Sequence, residues 1–337
     1  MNKNSKKIDY SLVEKSLNSQ FQQISTGIEL VQIKAPKKYQ QVIVSGMGGS
    51  RLPVEIILNQ FAEKLLVPIV LVSDYSVAKK LLTKDTLVVA ISYSGETEEV
   101  LSVADLAVKN NVDLFTISAG GQLAQVPASN NFVFPTNDNP SKQPRYGVGY
   151  MLGVLLSLFS QLKIIDVSIK EINSDLVNSK KHSQLIKKQL EKVVPFLKNK
   201  IPVFIGAEHL SGLLPLMQNQ IHETAKNFAC HFVLPNLNHH LLEGLLLPKN
   251  ATKNLYFIVF TSLLYSKRNA LRTKITTQVI KKQKSDCVLI KIGGQNKTTQ
   301  VFALLSSCGL LSLALAKINN VDPTEVPWVD YFKKALR

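Results

Sequence analysis

The stretch TLVVAISYSGETEEVLSVADLAVKNNVDLFTIS, residues 86–118, defines the organisation of this chain. It opens with an apolar run, TLVVAI, that stops at a hydroxyl-rich turn, Ser92 to Thr97. Apolar residues then recur at helical spacing over 97–111, and a second apolar run, DLFTIS, occupies 113–118. Continuous apolar strands separated by an amphipathic helix are typical of a parallel sheet covered by helices on both faces. The stretch therefore predicts a strand–turn–helix–strand unit.

The same alternation continues on both sides of this unit. An amphipathic helix is predicted over 10–33, and a long apolar helix over 147–162 closes the first half of the chain. Between them the pattern predicts strands at 42–46, 67–73 and 131–135, a helix over 50–66, and a short helix after residue 73. The expected architecture is α/β, a doubly wound parallel sheet in three αβα layers.

The second half of the chain reads as a diverged copy of the first. A Lys-rich helix at about 176–198 leads to further strands, predicted at 201–205, 228–235, 255–262 and 287–294. VIVSGMGGS (42–50) and VFIGAEHLS (203–211) occupy equivalent places in the two halves. We therefore expect two domains: 1–165, with the N-terminal helix, and 166–337, with a C-terminal helix.

Length and cysteine content narrow the class of protein. The 337 residues are 45% hydrophobic, enough for a sizeable aliphatic core. The three cysteines have no metal-ligand spacing and suggest no disulfide framework, which fits a reducing compartment. The N-terminus lacks a signal-like apolar core, and the longest apolar run, around 303–316, reads as a buried helix. We expect a cytoplasmic protein without a membrane partner.

The formal net charge of +16 admits two interpretations. A nucleic-acid-binding surface is one, but the lysine pairs are scattered and lack interleaved aromatic residues or a recognisable motif. We favour a solvated Lys-rich surface and expect no nucleic-acid partner. A positive field would also attract a small anionic substrate.

Two turns carry the polar groups of a candidate site. Gly46 to Ser50 and Ser92 to Thr97 each follow a predicted strand and precede a helix, where ligands gather in doubly wound folds. Glycines allow close backbone approach, helix N–H groups favour anions, and hydroxyls donate to phosphate oxygens. Plain turns with helix caps are the alternative. Since neither a Walker lysine nor a complete G-x-G-x-x-G pattern is present, a phosphate is favoured over a nucleotide.

GMGGS and SYSGETEE resemble the phosphate turns of sugar isomerase (SIS) domains. The chain resembles, more narrowly, the archaeal and bacterial bifunctional phosphoglucose/phosphomannose isomerases, which hold two SIS domains with a flavodoxin-like sheet order. The resemblance begins near residue 40 and includes four further motifs in order: PRYGVGY (144–150), HETAKN (222–227), PNLNHHLLEG (235–244) and DPTEVPWVDYFKKAL (322–336). It implies aldose–ketose isomerisation of glucose 6-phosphate, and also mannose 6-phosphate, with fructose 6-phosphate.

The resemblance also assigns roles to individual residues. Glu223 matches the base that moves a proton between C2 and C1 through an enediolate, and Arg145 matches the arginine near the developing charge. His239 and Lys333 match the groups that assist ring opening. The phosphate set carried over is Gly48, Ser50, Ser92, Ser94 and Thr97. Each of these residues could instead be an ordinary solvent-facing or turn residue without a functional role.

Several positions leave alternatives open. The family pattern N-H-N-E makes His239 the catalytic histidine, with His240 and Leu241 replacing the asparagine and glutamate, but His240 could serve instead. Lys334 adjoins Lys333, and Thr324 lies either near the pocket or at a helix cap. Arg51, where the family often has glycine, could contact the phosphate or point to solvent.

The resemblance implies a homodimer, because the family histidine reaches the site of the other subunit. We expect one phosphate site per chain in the first domain, catalytic groups from the second, and no metal or other cofactor. A sugar-phosphate sensor without turnover and another SIS sugar-phosphate isomerase, such as an amino-sugar isomerase, remain alternatives.

Overall fold

The computed structural model describes residues 8–248 and 251–336, and contains two parallel sheets with helices on both sides. The first sheet has the order β2-β1-β3-β4-β5, and the second β7-β6-β8-β9. All paired strands run parallel. The strands are β1 Gln41–Gly46, β2 Ile69–Val72, β3 Thr86–Ile91, β4 Asp113–Ser118, β5 Asn130–Val133, β6 Ile201–Ala207, β7 Cys230–Leu234, β8 Leu255–Ser262 and β9 Asp286–Ile292.

The α-helices of the described residues flank these sheets. They are α1 Ser11–Asn18, α2 Gln20–Leu30, α3 Leu52–Gln60, α4 Glu98–Lys109, α5 Val148–Gln161, α6 Ile169–Glu191, α7 Leu214–Ala225, α8 Leu241–Gly244, α9 Ala251–Asn254, α10 Lys267–Lys282, α11 Lys297–Asn319 and α12 Pro327–Ala335. The predicted αβα class is confirmed in both halves, and β8 has the predicted bounds.

Several predicted helices have different bounds in the structure; the one expected over 50–66 is α3, which ends at Gln60. The helix expected over 10–33 is divided between α1 and α2 at Ser19, whose hydroxyl donates to the Lys15 carbonyl (2.9 Å), a bond that competes with regular helix geometry. The helix expected over 176–198 is α6, which begins earlier because Ser168 and Glu171 form a capping box. The short helix after residue 73 is only a 3₁₀ turn at Lys79–Leu81.

The apolar helices pack between the two sheets. α2 and α5 approach so closely that a Cβ on Gly27 would overlap the Tyr150 carbonyl oxygen, so glycine is required there. α11 is apolar and long enough to cross a membrane, but it lies largely inside the protein against α6 and α7. Its composition is therefore that of a core helix.

Parallel pairing decides where the two predicted turns lie. Gly46 is the register partner of Ile91, so β1 and β3 end side by side at the same edge of the first sheet. The turns that follow these strands are brought together there, as the sequence predicts for the carboxyl ends of parallel strands.

Candidate functional site

Ser50 joins the two turns through a buried hydrogen bond. Its hydroxyl accepts from the backbone N–H of Tyr93 (3.0 Å), and only 8% of Ser50 is exposed. In the neighbouring turn the Ser92 hydroxyl accepts from the Gly95 N–H (3.1 Å) and bonds the Thr97 hydroxyl (2.7 Å). Ser50 and Ser92 thus hold the turns in shape.

The start of α4 leaves donors available for an anion. Thr97 is the N-cap residue with extended backbone angles, yet its side chain accepts no capping hydrogen bond. Ser94 is solvent-exposed, and its hydroxyl accepts from the Glu96 N–H (3.2 Å) and bonds the Ser92 hydroxyl (3.5 Å). N–H groups at a helix start together with partly exposed hydroxyls suit a phosphate.

Gly48 and Gly49 border this space. Gly48 has a positive φ of 48°, and a Cβ placed on it would meet no atom within 4 Å. A Cβ on Gly49 would lie 3.9 Å from the Arg145 Cα, so the first turn runs directly beside the arginine predicted for catalysis. The phosphate turns and PRYGVGY, far apart in sequence, are therefore neighbours.

Arg145 is buried and held by the C-terminal part of the chain. It lies in a 3₁₀ turn, Pro144–Tyr146, and is 4% exposed. Its Nη2 donates to the carbonyl oxygens of Pro323 (2.5 Å) and Thr324 (3.0 Å). Its Nε is buried and has no hydrogen-bond partner among the described residues. A cation fixed in this way is suited to stabilise a nearby negatively charged oxygen.

Glu223 lies beside Arg145. It is on the last turn of α7, and its Oε2 is 3.4 Å from the Arg145 Nη1, which also donates to the Gln143 Oε1 (3.0 Å). The Glu223 side chain is 36% exposed, whereas Arg145 is enclosed. The carboxylate is therefore reachable from solvent while its partner is fixed.

The turn at residues 322–324 connects these groups. The Tyr146 hydroxyl donates to the Pro323 carbonyl (3.1 Å) and bonds the Thr224 hydroxyl (2.8 Å), and the Lys226 ammonium donates to the carbonyls of Glu223 (2.8 Å) and Asp322. Burial and then the charge of Arg145 lower the pKa of Lys226, outweighing its acidic neighbours. The turn thus fixes Arg145 relative to α7.

The predicted histidine and lysine lie apart from this pair. His239 and His240 follow β7 and are exposed, with the His240 ring 6.1 Å from that of Phe232. Lys333 and Lys334 are exposed on α12. Within residues 8–248 and 251–336, no hydrogen bond or ion pair joins any of these four to Glu223. The structure therefore brings together Arg145, Glu223 and the phosphate turns, but not the ring-opening groups.

The positions left open by the sequence have defined surroundings. Arg51 forms an ion pair with Glu55 (2.7 Å between Nε and Oε1) and donates to the Ser73 hydroxyl (3.2 Å), which places it on the β2 side of the first turn, away from β3. Leu241 packs partly buried against the core. The Thr324 side chain bonds Asp322 rather than capping α12.

Sequence reasoning missed the residues that support Arg145 and its surroundings. Gln143 lies just before the PRYGVGY motif, which contains Tyr146, and Lys226 lies in the HETAKN motif. The motifs therefore marked these regions of the sequence as functional. They could not assign the roles of these residues, because Tyr146 and Lys226 act on backbone carbonyls that are distant in the sequence. Gln143 contacts Arg145 only because the chain turns there.

Fold and site define a class: tandem SIS-type α/β units with a hydroxyl- and glycine-rich strand edge beside an Arg–Glu pair. The SIS domain model matches residues 37–160, and the model of the bacterial phospho-glucose isomerase C-terminal SIS domain matches residues 186–336. Solved structures share this fold. A hypothetical protein from Thermus thermophilus has a TM-score of 0.75 at 15% identity (97% of this chain, 92% of that one). Tagatose-6-phosphate ketose/aldose isomerase from Escherichia coli has a TM-score of 0.66 at 14% identity (93% and 94%).

Sequence relatives identify the family. The chain is 31% identical to a bifunctional phosphoglucose/phosphomannose isomerase from Caldicellulosiruptor bescii, over 91% of this chain and 92% of the relative. It is 29% identical to the protein of the same name from Thermoplasma volcanium, over 89% and 92%. The chain belongs to the bifunctional phosphoglucose/phosphomannose isomerase family, and the predicted family is confirmed.

Proposed function

We propose that this protein is an isomerase that interconverts glucose 6-phosphate, and mannose 6-phosphate, with fructose 6-phosphate. The observation that carries the proposal is the pairing of Glu223 with the buried Arg145 beside the Gly48–Ser50 turn. The family membership supplies the class of reaction. We further propose that it divides at about residue 165 into two domains and works in the cytoplasm.

Glu223 is the proton carrier in this mechanism. Its carboxylate removes the proton from C2 of the open-chain aldose and returns it to C1, which converts the aldose to the ketose through an enediolate. A single carboxylate can serve both carbons because they are adjacent. Its partial exposure makes it reachable by a substrate from solvent.

Arg145 stabilises the negative charge that develops on O1 and O2. Its guanidinium is held in advance by the Pro323 and Thr324 carbonyls, so little reorganisation is needed when charge appears. Its Nη1, which lies beside Glu223, is the donor nearest the proton carrier. Removal of one such donor costs a factor of about 10² to 10³ in kcat in comparable sites.

The phosphate group anchors the substrate in this proposal. Ser94, Thr97 and the free N–H groups of α4 contact it directly, with Gly48 admitting its close approach. Ser50 and Ser92 hold the turns in shape by accepting backbone hydrogen bonds. Their hydroxyls can in addition donate a hydrogen bond to the phosphate. No metal enters the proposed mechanism, so a chelator should leave turnover unchanged.

Turnover of fructose 6-phosphate by the purified protein tests the proposal, with glucose 6-phosphate and mannose 6-phosphate followed separately. Glu223→Gln should lower kcat by about 10³-fold or more, because the amide cannot carry the proton. Glu29→Gln, at an exposed position on α2, is the matched control and should retain full activity. A chelator should have no effect. Binding without turnover by the wild type would instead identify a sugar-phosphate sensor.

We propose that His239 and Lys333 assist ring opening and that His239 acts in the site of a second copy. The exposure of both side chains in the single chain supports this, since neither forms a side-chain hydrogen bond or ion pair with the other described residues. Mixing Glu223→Gln with His239→Ala protein tests it. Random exchange between C₂ dimers should restore about a quarter of wild-type activity, because each mixed dimer has one complete site. No recovery after exchange would contradict a shared site, and His240→Ala in place of His239→Ala decides between the two histidines.

A further inference from the structure

The second sheet contains a counterpart of the phosphate turn. β8 pairs with β6 as β3 pairs with β1, so the turn that joins β8 to α10 corresponds to the turn that joins β3 to α4. A serine at the strand end has the same role in both: Ser262 accepts from the Leu264 N–H (2.9 Å), as Ser92 accepts from Gly95. The frame of an anion site is therefore present twice.

Glu208 is the counterpart of Gly48. Each follows an extended residue at the end of a central strand: Ala207, the last residue of β6, in one sheet and Met47, directly after β1, in the other. Each has a φ of 48°, a left-handed conformation that glycine adopts readily and glutamate does not. The second sheet thus carries a glutamate, at a cost in backbone energy, where the first sheet has a glycine that leaves open space.

The Glu208 carboxylate binds the start of α10. Its Oε1 accepts from the Ser266 N–H (2.8 Å) and from the Asn269 Nδ2 (2.7 Å). The first turn of α10 contains Lys267 and Arg268 and no acidic residue, so this carboxylate is the negative charge that the helix dipole meets. In the first sheet the equivalent helix start has no side-chain cap.

Other groups around Glu208 also favour an anion. Burial raises the pKa of Glu208, but hydrogen bonds from Asn269 and Ser266 and the charge of Lys297 together hold it below its ordinary value. The adjacent His209 is 1% exposed, lies edge-on to Tyr265 of the same turn (5.5 Å between ring centroids), and bonds Gln300 through Nε2 (2.9 Å). Its Nδ1 has no partner in the described part of the chain.

We propose that the second sheet retains an oxyanion site of the phosphate class and that the carboxylate of Glu208 occupies it. Glu208 is then an internal substitute for phosphate, and it limits the chain to one phosphate site. The donors remain in place, namely the Ser266 N–H and the Asn269 amide, and Lys297, whose ammonium pairs with Glu63 (3.3 Å), adds a positive charge. This inference does not depend on the isomerase activity.

Isothermal titration of inorganic phosphate into Glu208→Gly tests this directly. The variant should bind one more phosphate per chain than the wild type, whatever number the wild type binds, because glycine suits the φ of 48° and vacates the donors. Adding Lys297→Met should weaken or remove the extra site. If the wild type binds no phosphate, the proposed isomerase site is in doubt, but an extra site in the variant still supports this inference.

Two further variants test whether the charge and the length of the residue 208 side chain, and not a change in folding, control phosphate binding. Glu208→Asn tolerates the left-handed conformation and is shorter and neutral, so it should also open the site. Glu208→Gln keeps an acceptor of the same reach and should bind no additional phosphate. Turnover of fructose 6-phosphate should be unchanged in all three. Folded Glu208→Gly and Glu208→Asn proteins with wild-type stoichiometry would overturn the proposal, and so would failure of both to fold, because Glu208 would then be indispensable to the structure.

Discussion

The turn after β3 and the turn after β8 hold the same place in two sheets, but they present different surfaces. At the first, α4 begins without a side-chain cap and Gly48 leaves open space. At the second, Ser266 caps α10 by accepting from the Asn269 N–H, and the Glu208 carboxylate accepts from two further donors. Two copies of one architecture have thus separated into an open and a filled anion site.

This difference shows how a duplicated fold can specialise through very few residues. Both sheets keep the serine at the end of β3 or β8 and a left-handed residue after β1 or β6, because these determine the backbone path. What changed is the side chain on the left-handed residue. A glycine leaves the space beside the helix start open to a ligand, whereas a glutamate fills that space with a carboxylate from within the chain.

The largest expected effect comes from placing a glutamate at position 48 of the first unit, where it would match Glu208 of the second. Gly48→Glu should raise the KM for fructose 6-phosphate by about 100-fold or more, because a carboxylate over α4 opposes the phosphate charge. The substitution is sterically permitted, since a Cβ on Gly48 meets no atom within 4 Å and Glu208 adopts the same φ. Gly48→Gln is the matched neutral control and should raise KM much less. An unchanged KM in Gly48→Glu would break the comparison.

A smaller effect should separate ligand binding from helix capping. Ser94→Ala combined with Thr97→Val should raise KM about tenfold or more, because hydrogen bonds to a charged ligand are lost. Ser266→Ala should leave KM unchanged but lower the free energy of unfolding by about 1 kcal/mol, because Ser266 is a true cap. Steady-state kinetics gives the KM of both variants, and urea unfolding gives their free energies of unfolding. The reverse pattern would show that α4 is the capped helix.

The smallest effect concerns pH. The pKa of Glu208 is lowered in the folded protein, so its carboxylate adds stability above the unfolded-state value of about 4.5 and loses it as pH falls through the folded value. Since Glu208 is partly exposed, the contribution is below about 1 kcal/mol. The difference in unfolding free energy between wild type and Glu208→Gln should therefore be present at pH 7 and shrink below about pH 4.5. A difference that grows on acidification would contradict the sign.

Much of the fold was readable from the sequence because its signals are local. β3, α4 and β4 follow from an apolar run, helical spacing and a second apolar run, and parallel strands bring the turns after β1 and β3 to one edge. The break between α1 and α2 escaped prediction, because it depends on the back-bond of Ser19 to Lys15 rather than on hydrophobic spacing.

By itself, the sequence determined the two αβα units, the hydroxyl-rich turn after β3 of the first unit, and the motifs that contain Arg145 and Glu223. Only the tertiary structure decided that these two residues form a pair and that Pro323 and Thr324 hold the arginine. Only the tertiary structure also decided that Glu208 fills the second turn. The physical reason is that periodicity and turn chemistry act between near neighbours in the chain, whereas a buried cation and a filled helix start are satisfied by groups that folding brings from far away.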